Sequence, residues 1–244
     1  MSRRDEYLAE LGQTPEIIPF LRLHSGLPGP RGNLELLEAA ADVGDEAVFR
    51  GWIIAGSGSD PTDEFVAMCG IVGFGRLIGE GREELVDELR AHAADPRWRV
   101  REAVAIAFQR VGDQSVEALF RLVRPWVEDR PYVQRAVIAA VSEPRLLKTQ
   151  GAARQAVELV DAVTSTVAVV SDRRSDEFRT LRQALGYCWS VVVAADPTDG
   201  RPAMECWARI NDPDVRWALR ENLKKARLAR SDPEWVDRLR SELE

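Results

Sequence analysis

Arg216, Arg220, Lys224 and Arg227 recur at spacings of 4, 4 and 3, which places four cations on one face of a helix. Lys225 and Arg230 widen the stripe, and Glu221 is the only acid between Val215 and Arg230. Such a stripe can meet phosphates or the carboxylates of an acidic partner. It equally suits a solvated terminal helix whose cations favour the negative end of the helix dipole.

The other reactive residue types are more scattered. His24 and His92 stand 68 residues apart, with no Cys or carboxylate at ligand spacing around either. That argues against a metal site or a Cys-His pair and for surface or helix-end histidines. Gly70-Ile-Val-Gly-Phe-Gly-Arg-Leu-Ile-Gly79 contains the spacing of a phosphate-cradling loop. A dinucleotide fingerprint needs a strand before it, whereas Asp60 to Cys69 reads as a capped helix. The glycines are therefore expected where neighbouring helices leave no room for a side chain. Asp161 lies between apolar residues, where a raised pKa, a capping role and an inter-helix bond are all open.

Seven tryptophans stand at 52, 98, 126, 189, 207, 217 and 235. An exposed one can stack a base or anchor a partner, but packing between helices is the commoner use. Cys69, Cys188 and Cys206 are odd in number and each lies in apolar context. They read as reduced, buried thiols of a cytoplasmic protein. No signal peptide is visible at the N-terminus, and no apolar run approaches the ~18 residues of a membrane helix.

The 244 residues are 45% apolar and carry a net charge of −7. That balance argues against a protein that coats nucleic acid generally. The charge is uneven: residues 1–94 carry 8 basic and 17 acidic groups, residues 95–154 carry 11 and 7, and residues 155–244 carry 14 and 16. The middle block alone is net basic. Arginine supplies 30 of the 33 cations, which suits bidentate contacts to carboxylate or phosphate and equally a GC-rich coding sequence.

Helices must position these groups. Val100, Val104, Phe108 and Val111 fall at i, i+4, i+8 and i+11, one stripe of an amphipathic helix. Phe178, Leu181, Leu185 and Cys188 follow the same rule. The Val-rich segments 163–171 and 189–195 are expected to be buried helix. Asp60-Pro61, Asp95-Pro96, Asp212-Pro213 and Asp232-Pro233 mark helix starts. Gly79 and Gly112 are expected as helix-ending glycines. Leu34, Phe65, Val100, Val133, Phe178 and Val215 then open six similar helices at spacings of 31, 35, 33, 45 and 37.

Asp95-Pro-Arg-Trp-Arg-Val-Arg-Glu-Ala-Val-Ala105 returns as Asp212-Pro-Asp-Val-Arg-Trp-Ala-Leu219. Both segments resemble the HEAT repeat, a helical hairpin with a period of about 40 residues. The resemblance implies an all-α, right-handed α-α superhelix of five to six ARM-like repeats. It would form one domain over 1–244, with the repeats at about 15–240. In that family the turn Asp and the Arg after Val bond between repeats, which gives Asp95, Arg101, Asp212 and Arg216 structural roles. Phe178 to Trp189 is also similar to a motif of the HEAT-like alkylpurine DNA glycosylases, with Tyr187 where that family places a tryptophan. The family's Trp-Trp-Asp helix, which carries its catalytic aspartate, has no counterpart here.

The expected function is a non-enzymatic scaffold that binds another protein through the concave face of the array. The alternative is a DNA-binding or alkylated-base-excising protein. Candidate binding residues are Trp98, Arg101, Arg135, Arg182, Tyr187, Trp217, Arg220 and Lys224. No catalytic set, cofactor, metal or membrane partner is expected.

Overall fold

A computed structural model describes residues 2–243. Among them the protein is all-α, with fifteen helices, short 3-10 turns and no strand. The chain divides after Ser115 into two compact units.

The first unit holds α1 (Arg3–Leu11), α2 (Ile17–His24), α3 (Leu34–Val43), α4 (Glu46–Ala55), α5 (Pro61–Gly79), α6 (Val86–His92) and α7 (Trp98–Gln114). Side-chain caps start several of them. Asn33 accepts from Leu36 N, Asp45 from Val48 N, and Asp60 from Thr62 N with Pro61 in the first turn. Each cap satisfies an amide that the helix itself leaves without a partner. Odd-numbered helices pack on one another in succession: α1 on α3, α3 on α5, and α5 on α7.

Helix α5 sits at the centre of this unit and is buried from Phe65 to Gly75. A helix that is apolar all round needs neighbours on every side, and α2, α3, α4 and α7 supply them. Two of its glycines permit the approach. A methyl group on Gly73 would lie 2.5 Å from the Phe49 ring, and one on Gly75 would fall on the Ala107 carbonyl oxygen. The glycine segment is thus helical and packs against α4 and α7. Phe49 meets Trp52 and Phe74 edge-on, at ring separations of 5.5 and 6.5 Å.

Neither glycine expected to end a helix does so in the left-handed form. Gly79 is the last residue of α5 and Gly112 lies inside α7. Gly81 instead takes φ +107°. Its amide bonds the Ile78 carbonyl and the Arg82 amide bonds that of Leu77, which completes a Schellman motif.

The second unit holds α8 (Val116–Val123), α9 (Pro131–Val141), α10 (Gln150–Thr166), α11 (Asp176–Ala195), α12 (Pro197–Ala208), α13 (Pro213–Leu223), α14 (Ala226–Ser231) and α15 (Pro233–Glu242). Helix α11 is its centre and contacts α9, α10, α12, α13 and α14. Side chains fasten these neighbours. Trp189 Nε1 donates to Thr164 Oγ1 at 3.0 Å, joining α11 to α10. Trp207 Nε1 donates to Asp161 Oδ1 at 2.6 Å, so Asp161 serves an inter-helix bond. The buried Asn222 of α13 accepts from Ser190 N and donates to the Leu185 carbonyl, both at 2.7 Å.

Two sequence expectations fail in this unit. Helix α10 ends at Thr166, a 3-10 turn covers Val167–Val169, and Val169 is exposed, so only Val163 and Thr164 of 163–171 are buried helix. Segment 189–195 does lie in α11. Cys69 and Cys188 are buried, but Cys206 on α12 is exposed.

Candidate binding surface

The basic stripe is not one helix. Helix α13 stops at Leu223 and α14 starts at Ala226, so Arg227 belongs to a different element from Arg216 and Arg220. The Lys225 amide bonds the Asn222 carbonyl three residues back, and Lys225 turns extended before Leu228 is buried. No Gly or Pro marks this break.

Its members have separate tasks. Arg216 donates to the Ala208 carbonyl at 3.1 Å and the Glu242 carbonyl at 3.3 Å. Arg220 donates to the Leu243 carbonyl at 3.0 Å. Both satisfy helix-end carbonyls, which suit cations. Lys224 pairs with Glu221 at 2.5 Å. Arg227 turns toward α11, where its guanidinium bonds Tyr187 Oη at 2.6 Å and lies 4.8 Å from that ring's centre. Lys225 Nζ lies 5.6 Å from the same ring. Tyr187 is 46% exposed.

A second cation–aromatic pair joins α11 to α13. The Arg182 guanidinium stacks 3.7 Å over the Trp217 ring, and its Nε lies 2.8 Å from Asp214 Oδ1. The Trp217 ring lies against Gly186, where a methyl group would come within 3.1 Å of it. Gly186 therefore leaves room for the indole that carries Arg182. In the first unit, Trp98 is 54% exposed and carries Arg99 at 4.6 Å. The three exposed or half-exposed aromatics among the candidates thus each bear a cation on a face.

The remaining candidates are placed differently. Arg101 is only 8% exposed, and its guanidinium donates to the Asp95 and Pro96 carbonyls at 2.6 and 2.9 Å. It holds a turn and offers no surface to a partner. Arg135 is half-buried on α9, away from the Tyr187 cluster in sequence and element. The sequence put Lys225 and Arg227 in a one-helix basic stripe and did not join them to Tyr187; the aromatic at 187 and the cations at 225 and 227 belong to different elements, which one-helix periodicity cannot join.

The two repeated turns share a plan. Asp95 accepts from Arg97, whose Nη1 reaches the Gly56 carbonyl at 2.6 Å. Asp212 accepts from Arg173, whose Nη2 reaches the Val167 carbonyl at 2.9 Å. In each, an arginine joins the turn Asp to a carbonyl one helix pair earlier. Burial opposes ionisation of Asp212, but the Arg173 hydrogen bonds, the Val215 and Asp214 amides and the Arg173 charge outweigh it and hold its pKa below the usual value. At Asp95 burial is likewise outweighed by the side chain, amide and charge of Arg97. His92 nearby has a lowered pKa, chiefly through burial.

Beneath Arg182 and Asp214 lies a pocket of about 10 Å³, walled by Phe178, Leu185, Trp189 and Leu219, with room for one water at most. A larger open groove of about 410 Å³ runs between Arg124, Pro125, Val127, Leu159 and Ala162, on other helices. Among the described residues, no group of three or more His, Cys, Asp or Glu is placed to hold a metal. No helix among them is long and apolar enough to cross a membrane. No protein-family model matches the chain, and no curated protein matches it.

Proposed function

We propose that the helix pairs are HEAT-like repeats, that they build a right-handed superhelix of five to six repeats, and that the protein is a non-enzymatic scaffold for another protein. The odd-numbered helices line the concave face in this reading. Their successive packing within each unit supports it, as does the match between the six spaced anchors and the starts of α3, α5, α7, α9, α11 and α13. The observation that carries the reading is the row of cations and aromatics on α11, α13 and α14, made of Arg182, Trp217, Tyr187, Lys225 and Arg227. Large aromatic and arginine side chains held at a surface are the usual anchors of protein contacts.

Photo-crosslinking tests this. A photoreactive side chain in place of Gln183, exposed on α11, is expected to capture a discrete protein in cells. The same group in place of Arg154, exposed on α10, is expected not to. Equal labelling from both positions would remove the reading.

The second reading is a DNA-binding or base-excising protein. The basic block 95–154 and the Phe178–Trp189 segment favour it. Release of an alkylated base from a duplex would establish it. Absence of binding to a duplex at low salt would remove it.

A further inference from the structure

We infer that the Tyr187 corner of α11, α13 and α14 recognises a carboxylate-rich peptide segment of the partner. This rests on the scaffold reading for its biological setting, but the chemistry is read from the corner itself.

The aromatic faces decide between ligand classes. A strand of nucleic acid gains much of its affinity by stacking bases on open rings. Here the Trp217 ring carries Arg182 at 3.7 Å, and the Tyr187 ring carries Arg227 at 4.8 Å and Lys225 at 5.6 Å. A face of each ring is therefore taken up by a cation and is not open to a stacking base. An aromatic shelf holds a guanidinium in place, so less side-chain freedom is lost when an anion binds. The Tyr187 hydroxyl fixes Arg227 further through its 2.6 Å bond.

The charges around the shelf set the length of the anion. Lys225 and Arg227 have no carboxylate partner among the described residues. Glu221 and Asp214 stand on the same face of the site, paired with Lys224 and Arg182. A continuous polyphosphate backbone crossing the corner would pass both acids. A short peptide can place carboxylates at Lys225 and Arg227 and neutral residues beside Glu221 and Asp214. Charge complementarity is thus local, and it fits side chains spaced along a peptide.

Fluorescence anisotropy of the full chain tests the assignment, with a labelled 12-residue peptide of alternating Glu and Ser, its Gln-Ser counterpart, and a 12-nucleotide oligothymidine. At low salt the Glu peptide is expected to bind at least 5-fold tighter than either of the others. Lys225→Gln with Arg227→Gln is expected to weaken it 5- to 10-fold, and Tyr187→Phe by 2- to 3-fold, because the ring stays while the bond to Arg227 is lost. Lys148→Gln, a cation outside the corner, is expected to leave it unchanged. Tighter binding of oligothymidine, no binding of the Glu peptide, or equal losses from Lys148→Gln would overturn the assignment. Circular dichroism melts of each variant separate lost binding from lost folding. Failure here with crosslinking retained at position 183 would overturn the peptide chemistry and leave the scaffold; peptide binding without that crosslinking would do the reverse.

Discussion

The Arg182 guanidinium lies over the Trp217 ring at 3.7 Å across α11 and α13, while the same guanidinium pairs with Asp214 one turn before the tryptophan. One side chain therefore holds two positions of α13 against α11. A double-mutant cycle with Arg182→Gln and Trp217→Leu is expected to give a coupling of about 0.5–1 kcal/mol, since the pair is half-exposed. Additive losses in urea unfolding would show that the contact contributes only shape.

Gly75 has no room for a methyl group, because the Ala107 main chain occupies the space. Gly75→Ala is expected to cost about 3 kcal/mol and to lower Tm by roughly 6–12 °C. Gly151, near the start of α10, has nothing within 4 Å, so Gly151→Ala is expected to be neutral or to stabilise by about 0.4–1 kcal/mol. Thermal melts of the two variants should move in opposite directions or differ by at least the larger amount.

Asn222 makes three hydrogen bonds in a buried site: one from Ser190 N and one each to the Leu185 and Ala218 carbonyls. Asn222→Ala withdraws all three, at an expected loss of about 2–4 kcal/mol. The urea midpoint should fall with an unchanged slope. An unchanged midpoint would mean that α11 satisfies these groups by itself.

Acid should weaken the fold in two stages. The lowered pKa of His92 means that the unfolded chain takes up that proton first, so its contribution is present above about pH 6.5 and is lost as pH falls below it. Asp95 and Asp212 also have lowered values, so their contribution is complete above about pH 4 and is lost as pH falls through their folded values. Urea midpoints measured from pH 7 to pH 3 should fall in both ranges. Asp95→Asn with Asp212→Asn should flatten the lower one and deepen the upper one, because the Asp95 charge opposes the lowering of the His92 pKa.

Helix positions were legible because the chain marks them chemically. Asp60, Asp212 and Asp232 cap α5, α13 and α15, each followed by a proline that starts the helix. The glycines of α5 were legible as packing residues because a capped helix preceded them. The break after Leu223 was not, since Lys224 and Lys225 continue the helical period and the turn is made by burying Asn222 and Leu228. The 3-10 turn at Val167–Val169 was hidden for a related reason: β-branched residues suit a buried helix and a turn edge alike. The Tyr187 corner joins residues 40 apart, so only the packing of α14 on α11 reveals it. Arg101 illustrates the converse. Its place after an Asp-Pro turn was legible, but a helix stripe does not tell a side chain that faces a partner from one folded back on its own turn.

The three cysteines divide in an unplanned but useful way. Cys69 and Cys188 are closed to solvent, and burial pushes the Cys69 thiol well above its usual pKa, whereas Cys206 stands open on α12. A thiol-reactive dye offered to the folded protein attaches once, at a known helix; offered to the unfolded chain it attaches three times. The mass of the labelled product therefore counts how many molecules have opened, and the chain carries its own tally of unfolding without any residue being changed.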